Sequence, residues 1–317
     1  MTTRFRAGSV AAAALAVGLS VAAGGCGKYS YSNLKAIKAF KDANDLFKQN
    51  DYRHAADRYE EALKSNPDLV KVYFFLGNSY DQQYKASKAG DPQNDQYIQK
   101  AIQNYQIAAQ RDDDPKMRKL ALQYLFAAYG PEKLNDPSKA EPIVQQLISA
   151  DSSDPANYFQ LSKLYEDAGR YEDAEKALLK AKEVKPSEPT VYTQLAAFYN
   201  RQGDFDKTIE SLQQAADLAP NNPEGYQLIA AYYWEKASKD FRLPANVKHD
   251  YVLKGIAADD KALSLNPNYV DALVYKNILL RIQANMEKDK PTQDRLLKEA
   301  DTLRQKAMDL QKQGRRR

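Results

Sequence analysis

The sequence predicts an all-α fold, a solenoid of about seven helical hairpins, and two observations carry that expectation. The first is a spacing that occurs four times: Tyr, three residues to Leu or Ile, four more to Tyr, with a small residue after the aliphatic one. It reads Tyr73, Leu76, Gly77, Tyr80; Tyr158, Leu161, Ser162, Tyr165; Tyr192, Leu195, Ala196, Tyr199; and Tyr226, Ile229, Ala230, Tyr233. Steps of three and four residues place the large side chains on one helical face, and the small residue beside them lets a neighbouring helix approach. The second observation is a period: Tyr158, Tyr192 and Tyr226 lie 34 residues apart. A fixed repeat of that length marks stacked supersecondary units.

Each copy is followed by a second amphipathic element. In residues 155–188, Gly169 and Tyr171 precede Ala174, Leu178, Ala181 and then Pro186, so a turn leads into a helix that stops near a proline. Residues 189–222 repeat the pattern in register with Tyr192, Leu195, Ala196, Tyr199, Gly203, Leu212, Ala215 and Pro220, departing at Thr208 where alanine is expected. This pattern resembles the tetratricopeptide repeat, which has an aromatic at position 4, Leu-Gly at 7 and 8, Tyr at 11, Gly at 15, Ala at 20 and 27, and Pro at 32. The resemblance implies a right-handed superhelical solenoid.

The remaining units follow the pattern less closely. Residues 36–69 keep the second helix, with Tyr52, Ala55, Tyr59, Ala62 and Pro67, while the first helix offers Ala39, Ala43 and Leu46. Residues 70–115 reach Ala101, Tyr105 and Ala108 late, because Tyr84 to Asp95 is inserted between the helices. Residues 223–268 carry a similar insert near Lys236 to Lys248 before Gly255, Ala262 and Pro267. Both inserts contain Lys-Ala-Ser-Lys, at Lys85 to Lys88 and Lys236 to Lys239, which suggests that the first helix runs on toward a turn at Pro92 or Pro244. Residues 119–154 are the poorest match and hold Pro142 inside the expected second helix, a position that predicts distortion. From Val270 to residue 313 a last hairpin ends in a charged helix with a narrow stripe of Leu296, Ala300, Leu303, Ala307 and Leu310, as a terminal cap requires. No glycine- or serine-rich linker divides residues 33–317, so one continuous solenoid is expected.

Residues 1–25 read as a secretory leader. Arg4 and Arg6 precede the uncharged stretch from Ala7 to Ala23, and small residues lead to Cys26, the single cysteine of the chain. The string Ala23-Gly24-Gly25-Cys26 resembles the bacterial lipobox, with Ala23 where leucine is preferred. The resemblance implies cleavage before Cys26, diacylation of its sulfur, and residues 26–32 as a short tether. Gly27 after the cysteine resembles outer-membrane sorting in proteobacterial lipoproteins, giving a protein that faces the periplasm. An uncleaved anchor spanning Ala7 to Gly25 and plain secretion are the alternatives.

Composition bounds the chemistry. The formal net charge of the 317 residues is +4, and Arg4, Arg6 and Arg315 to Arg317 supply five of the positive charges, so no nucleic-acid footprint is present. The terminal triplet is read as a frayed end rather than a lipid contact. One cysteine excludes an intrachain disulfide. His54 and His249 are the two histidines, one on the solvent side of an early helix and one beside an insert, so neither a zinc site nor a histidine-based triad is assembled. No phosphate-binding glycine loop occurs outside the leader, and Asp112 to Asp114 lack the alternating ligands of a calcium loop, reading instead as a solvated turn. No cofactor, metal or catalytic residue is predicted. Of 22 tyrosines, the eight at repeat positions 4 and 11 are expected in the core.

What remains is a binding surface. In the repeat family, positions 2, 5, 9, 12 and 13 of each first helix line the concave groove. Here they include Phe74, Asn78, Phe159, Lys163, Thr193, Asn200, Gln227 and Trp234. Apolar anchors mixed with amides and a lysine suit a peptide rather than a small polar metabolite. Asn78 fits in part the carboxylate clamp of some family members, but the partner lysines and arginine are missing, which disfavours that ligand class. Trp234, the single tryptophan, belongs on the concave face if the repeat geometry holds and packs against the insert if its helix runs on. The reading is a lipid-anchored scaffold for protein partners in cell-envelope assembly, with outer-membrane protein assembly and pilus biogenesis as analogies. An enzyme or carbohydrate-binding protein with its site in the inserts, and a self-assembling structural solenoid, are the competing readings.

Overall fold

Short polar turns cut the described residues, 30–314 of a computed structural model, into fourteen α-helices and no strand. The proposed leader, Cys26 and the terminal arginine triplet lie outside the described residues. The helices pair as α1 (Tyr31–Lys48) with α2 (Tyr52–Ser65), and α3 (Lys71–Asp81) with α4 (Pro92–Arg111). Next come α5 (Pro115–Tyr129) and α6 (Pro137–Ala150), α7 (Pro155–Asp167) with α8 (Tyr171–Val184), and α9 (Pro189–Arg201) with α10 (Phe205–Leu218). The last pairs are α11 (Pro223–Lys239) with α12 (Ala245–Leu265), and α13 (Val270–Met286) with α14 (Lys290–Gly314). The chain divides into two compact units, Met1–Ala121 and Leu122–Arg317, the division falling inside α5.

The punctuation is chemical. Side chains of Asp51, Asp91, Asp136, Asp154, Asp204 and Asn222 accept backbone N–H groups at six helix starts, and prolines 92, 137, 155 and 223 follow four of them. Each cap satisfies a donor that the first turn leaves open, and proline has no such donor to waste. Four hairpin turns pass through a left-handed residue: Asn50, Asn135, Gly169 and Gly203, with φ of 62°, 48°, 73° and 77°. The following N–H then closes back on the helix, Arg170 N to Tyr165 O at 2.7 Å and Asp204 N to Tyr199 O at 2.9 Å. Asparagine thus replaces the position-15 glycine in two of the weaker units.

In the first unit, Ala36, Ala39 and Ala43 of α1 pack with Ala55, Ala56, Tyr59 and Ala62 of α2, all buried. The Phe40 ring lies 5.8 Å from Tyr59 and 5.6 Å from Phe75. Gly77 faces the ring of Tyr105, and a Cβ there would sit 2.8 Å from Tyr105 Cδ1, so the small residue of the spacing is required by contact with α4. In the second unit, Tyr158, Leu178, Val191, Tyr192, Leu195, Phe198 and Tyr199 form one core cluster spanning α7 to α9. At the C-terminal end Leu296 and Ala300 of α14 pack on Leu280 and Ala284, as the apolar stripe predicts. Lys276 ties three helices together, its Nζ 2.7 Å from both Asp260 and Glu299.

The tyrosines are core residues with polar ends. At position 4 every hydroxyl donates to a carbonyl six residues back, as in Tyr192 to Pro186 O at 2.7 Å and Tyr158 to Ser152 O at 3.0 Å. Of the eight, Tyr73, Tyr165, Tyr226 and Tyr233 are half-buried rather than fully enclosed.

Three local expectations are corrected. The two Lys-Ala-Ser-Lys strings do not share a conformation: α11 runs through Lys236 to Lys239, but α3 stops at Asp81 and Ala86–Lys88 form a single 3-10 turn. Buried Asn94 decides the first case, since its Oδ1 accepts from Lys85 N at 2.8 Å and its Nδ2 donates to the carbonyls of Lys85 and Lys88. Helix α6 is continuous from Pro137 to Ala150 through Pro142. Its missing donor would have served the carbonyl of Ser138 in the first turn. Asp112 is buried, its Oδ1 accepting from Asp114 N at 3.0 Å while Arg118 donates to its carbonyl at 2.6 Å, so this turn is not fully solvated.

Candidate functional site

A concavity with an apolar lining lies in the second unit and is built by α5, the turn after it, α6 and α7. Its volume is about 390 Å³, within the range of small binding sites. Phe126 and Tyr129 enter from α5, Pro131 and Asn135 from the turn, and Phe159, Gln160 and Lys163 from α7. The local sequence explains the shape. Gly130 and Pro131 end α5, and Asn135 in the left-handed region reverses the chain, its N–H donating to Gly130 O at 2.9 Å. Two successive spacings of four residues then align Phe159, Lys163 and Asp167 along one side of α7.

The floor is fixed from below. Phe126 packs against the cluster of Val144, Leu161 and Ala177, and the Tyr129 ring carries Lys139 Nζ at 5.7 Å from its centroid. At the rim Lys163 pairs with Asp167, both more than 40 % exposed, an arrangement that a charged ligand can open at little cost. Gln160 Oε1 is buried without a hydrogen-bond partner. The site therefore offers an apolar seat, one unmatched acceptor beside it, and a cation and a carboxylate at its edge. It holds no nucleophile–base pair. Among the described residues no group of three or more His, Cys, Asp or Glu is placed to hold a metal ion.

Of the residues expected in the groove, Phe159 and Lys163 come together here. Asn200 lines a second concavity of about 380 Å³ with Phe205, Tyr232, Glu235 and, from the second insert, Lys236, Lys239, Asp240, Phe241 and Arg242. Thr193 is half-buried on α9 and donates to Thr190 O at 2.9 Å. The other four are taken up by packing. Phe74 is buried with its ring 5.4 Å from Phe75 and 5.9 Å from Tyr105, because the late-starting α4 covers α3. Asn78 is buried and accepts from Gln82 at 3.4 Å, and Gln227 is buried on α11. Trp234 stands edge-on to Tyr275 at 5.3 Å and packs on the cluster of Ala237, Val252 and Leu279, so the continuation of α11 governs its position.

Sequence reasoning misses Phe126, Tyr129, Phe205 and Phe241 at these surfaces. Phe241 has a legible signal, an aromatic alone between Asp240 and Arg242 in a charged insert, and it is 94 % exposed. Its turn is pinned by Asp240, whose carboxylate accepts from Lys236 at 3.0 Å and from Arg242 N at 3.1 Å. These bonds, Lys236 foremost, lower the Asp240 pKa to about 2.

No helix of the described residues is long and apolar enough to cross a membrane. No curated protein shows a significant match to the chain. Among solved structures it is similar to the C-terminal part of a TPR repeat-containing protein from Cytophaga hutchinsonii, with 20% identity and a TM-score of 0.56 over 86% of this chain and 98% of that one. A tetratricopeptide repeat protein from Parabacteroides merdae gives 14% identity and a TM-score of 0.46 over 84% of this chain and 99% of that one. YrrB, described as a TPR protein with an unusual peptide-binding site, gives 19% identity and a TM-score of 0.41 over 58% of this chain and 87% of that one. Family models for the tetratricopeptide repeat match residues 40–105, 133–198 and 189–222. The hairpins across these three stretches are tetratricopeptide repeats.

Proposed function

We propose that this chain is a scaffold that captures a protein segment in the cavity between Phe126 and Phe159, while acyl chains on Cys26 hold it at a cell-envelope membrane facing the periplasm. The cavity carries the binding half of the reading. It is sized for one or two side chains, and its apolar seat is ringed by Gln160, Lys163 and Asp167. An apolar side chain of a bound segment fills the seat, and the segment's backbone or charged groups meet the rim. The string Ala23-Gly24-Gly25-Cys26 supports the anchoring half. Several acyl chains attach firmly where one binds marginally, because each buried methylene adds about 0.8 kcal/mol.

Crosslinked pull-down of the full-length protein from its native membrane tests the binding half. A central aromatic anchor commonly contributes about 2 kcal/mol, so Phe159→Ala should weaken capture of an identified partner roughly thirtyfold. Because Phe159 also packs on the α7–α9 core cluster, some loss of melting temperature accompanies the change, and capture is measured where the variant is folded. Thr193→Ala should not weaken capture. Undiminished capture by a folded Phe159→Ala protein would remove the cavity as the site. Cys26→Ser should abolish palmitate labelling and release the protein or trap its precursor. Membrane retention without label in the unchanged protein would favour an uncleaved anchor.

A further inference from the structure

The first two turns of α1 expose large apolar side chains on one side. Tyr31 is 84 % exposed, Leu34 53 % and Ile37 46 %, while Ala36, Ala39 and Ala43 on the other side are buried against α2. Successive spacings of three residues keep Tyr31, Leu34 and Ile37 on a common flank. Lys38 and Lys41 are exposed one turn further on, and α1 holds four lysines against two aspartates. Later first helices such as α3, α9 and α11 pack on the second helix of the preceding hairpin. Among the described residues no helix precedes α1, and its apolar flank is uncovered.

We infer that this flank of α1 rests on the surface of a lipid bilayer, with Tyr31, Leu34 and Ile37 at the acyl boundary and Lys38 and Lys41 among the headgroup phosphates. An interfacial helix has this character: an apolar side, lysines beside it that extend toward the headgroups, and too little hydrophobicity to span. The length of chain leading to it selects lipid as the occupant. Four residues separate Cys26 from Tyr31, and the five steps along the chain reach at most about 17 Å, so acyl chains at Cys26 hold the start of α1 at the membrane. That step rests on the anchoring proposed above. The acyl groups supply attachment, and the α1 flank adds orientation by fixing which side of the first hairpin faces the bilayer.

The test uses the full-length protein on vesicles of phosphatidylethanolamine and phosphatidylglycerol, with or without bromine on the acyl chains. Leu34→Trp in a Trp234→Phe background places the single tryptophan on the flank, and the wild type, with Trp234 alone, is the control. Brominated lipid should quench the emission from position 34 by about half or more, as expected for a side chain at the acyl boundary, and leave Trp234 little changed. Palmitate labelling and co-sedimentation report separately on Cys26. Labelled, sedimenting protein with no quenching at position 34 overturns the docking and leaves the anchor standing. If that emission instead depends on protein concentration, a second copy covers the flank and the docking is likewise overturned. Quenching without label keeps the docking and removes the acyl anchor, whereas loss of label, sedimentation and quenching together overturns both.

Discussion

The Tyr199 hydroxyl donates to Glu175 Oε1 at 2.8 Å, across the seam between consecutive hairpins. Lys207 Nζ reaches the same oxygen at 3.1 Å and lies 4.8 Å from the centre of the Tyr199 ring. The arrangement recurs one repeat earlier, where Tyr165 donates to Glu141 at 2.8 Å and Arg170 both pairs with Glu141 at 3.0 Å and stacks on the ring at 4.0 Å. In the first unit Tyr80, Glu60 and Lys100 repeat it. Burial first, then the adjacent carboxylate, raises the pKa of Tyr199, so the phenol stays a donor.

Breaking this latch gives a graded prediction. Tyr199→Phe should cost about 0.5–1.5 kcal/mol, the ordinary net value of one hydrogen bond, with the apolar ring contacts kept. Glu175 is held below its ordinary pKa, by Tyr199 foremost and then Lys207. A carboxyl whose folded pKa is depressed contributes stability above its unfolded pKa, and that contribution fades as pH falls below the ordinary value of 4.5. Urea unfolding of wild type, Tyr199→Phe, Glu175→Gln and the double variant at pH 7 and pH 4 should show coupling at pH 7 that shrinks at pH 4.

Gly77 is predicted to tolerate no side chain. The added Cβ of Gly77→Ala would lie 2.8 Å from Tyr105 Cδ1 and 3.2 Å from Ala101 O, and neither the buried ring nor the helix backbone can yield cheaply. A loss of about 1–3 kcal/mol is expected from overpacking. At Gly169 nothing lies within 4 Å but φ is +73°, so Gly169→Ala should lose about 1–2 kcal/mol through backbone strain alone. Gly169→Asn should recover part of that loss, since Asn50 and Asn135 occupy equivalent turns. Thermal melts of the three variants check the distinction.

Asp259 on α12 should make stability depend on pH in the opposite sense to Glu175. It is fully buried, both carboxyl oxygens lack a hydrogen-bond partner, and burial, then Asp260, raises its pKa to about 9 against the partial offset of Lys276. The native state keeps a proton that the unfolded chain releases above about pH 4, so this group lowers stability progressively as pH rises from about 4 to 9. Asp259→Asn should remove that slope and be the more stable protein at pH 8 by an amount on the order of 2 kcal/mol. Urea midpoints of both proteins from pH 5 to 9 measure it, and parallel curves would refute the assignment.

Asn94→Ala should loosen the first insert without unfolding the unit. The change leaves Lys85 N and the carbonyls of Lys85 and Lys88 without their side-chain partner, at about 1–3 kcal/mol for groups that lose a buried bond. Hydrogen exchange should accelerate across residues 85–91 and remain unchanged in α1 and α2.

The hairpins are set by local sequence. Periodicity of three and four residues, aspartate caps, prolines and the 34-residue spacing are local signals, and a helical repeat needs only its neighbours to bury its face. Where glycine is replaced, at Asn50 and Asn135, the repeat pattern does not mark the turn, and the structure places both in the left-handed region that asparagine also enters. Half of the expected groove residues are taken into packing because repeat position fixes only the side of a helix, not what covers it. Phe74 is covered by a displaced α4, and Trp234 by helices that follow the lengthened α11. Identical Lys-Ala-Ser-Lys strings become a 3-10 turn and an α-helix, since the deciding group, Asn94, lies outside the string. Packing in three dimensions brings Phe126 and Tyr129 to Phe159, as the seat of a cavity depends on the approach of side chains from three helices and a turn, and no local pattern encodes that distance.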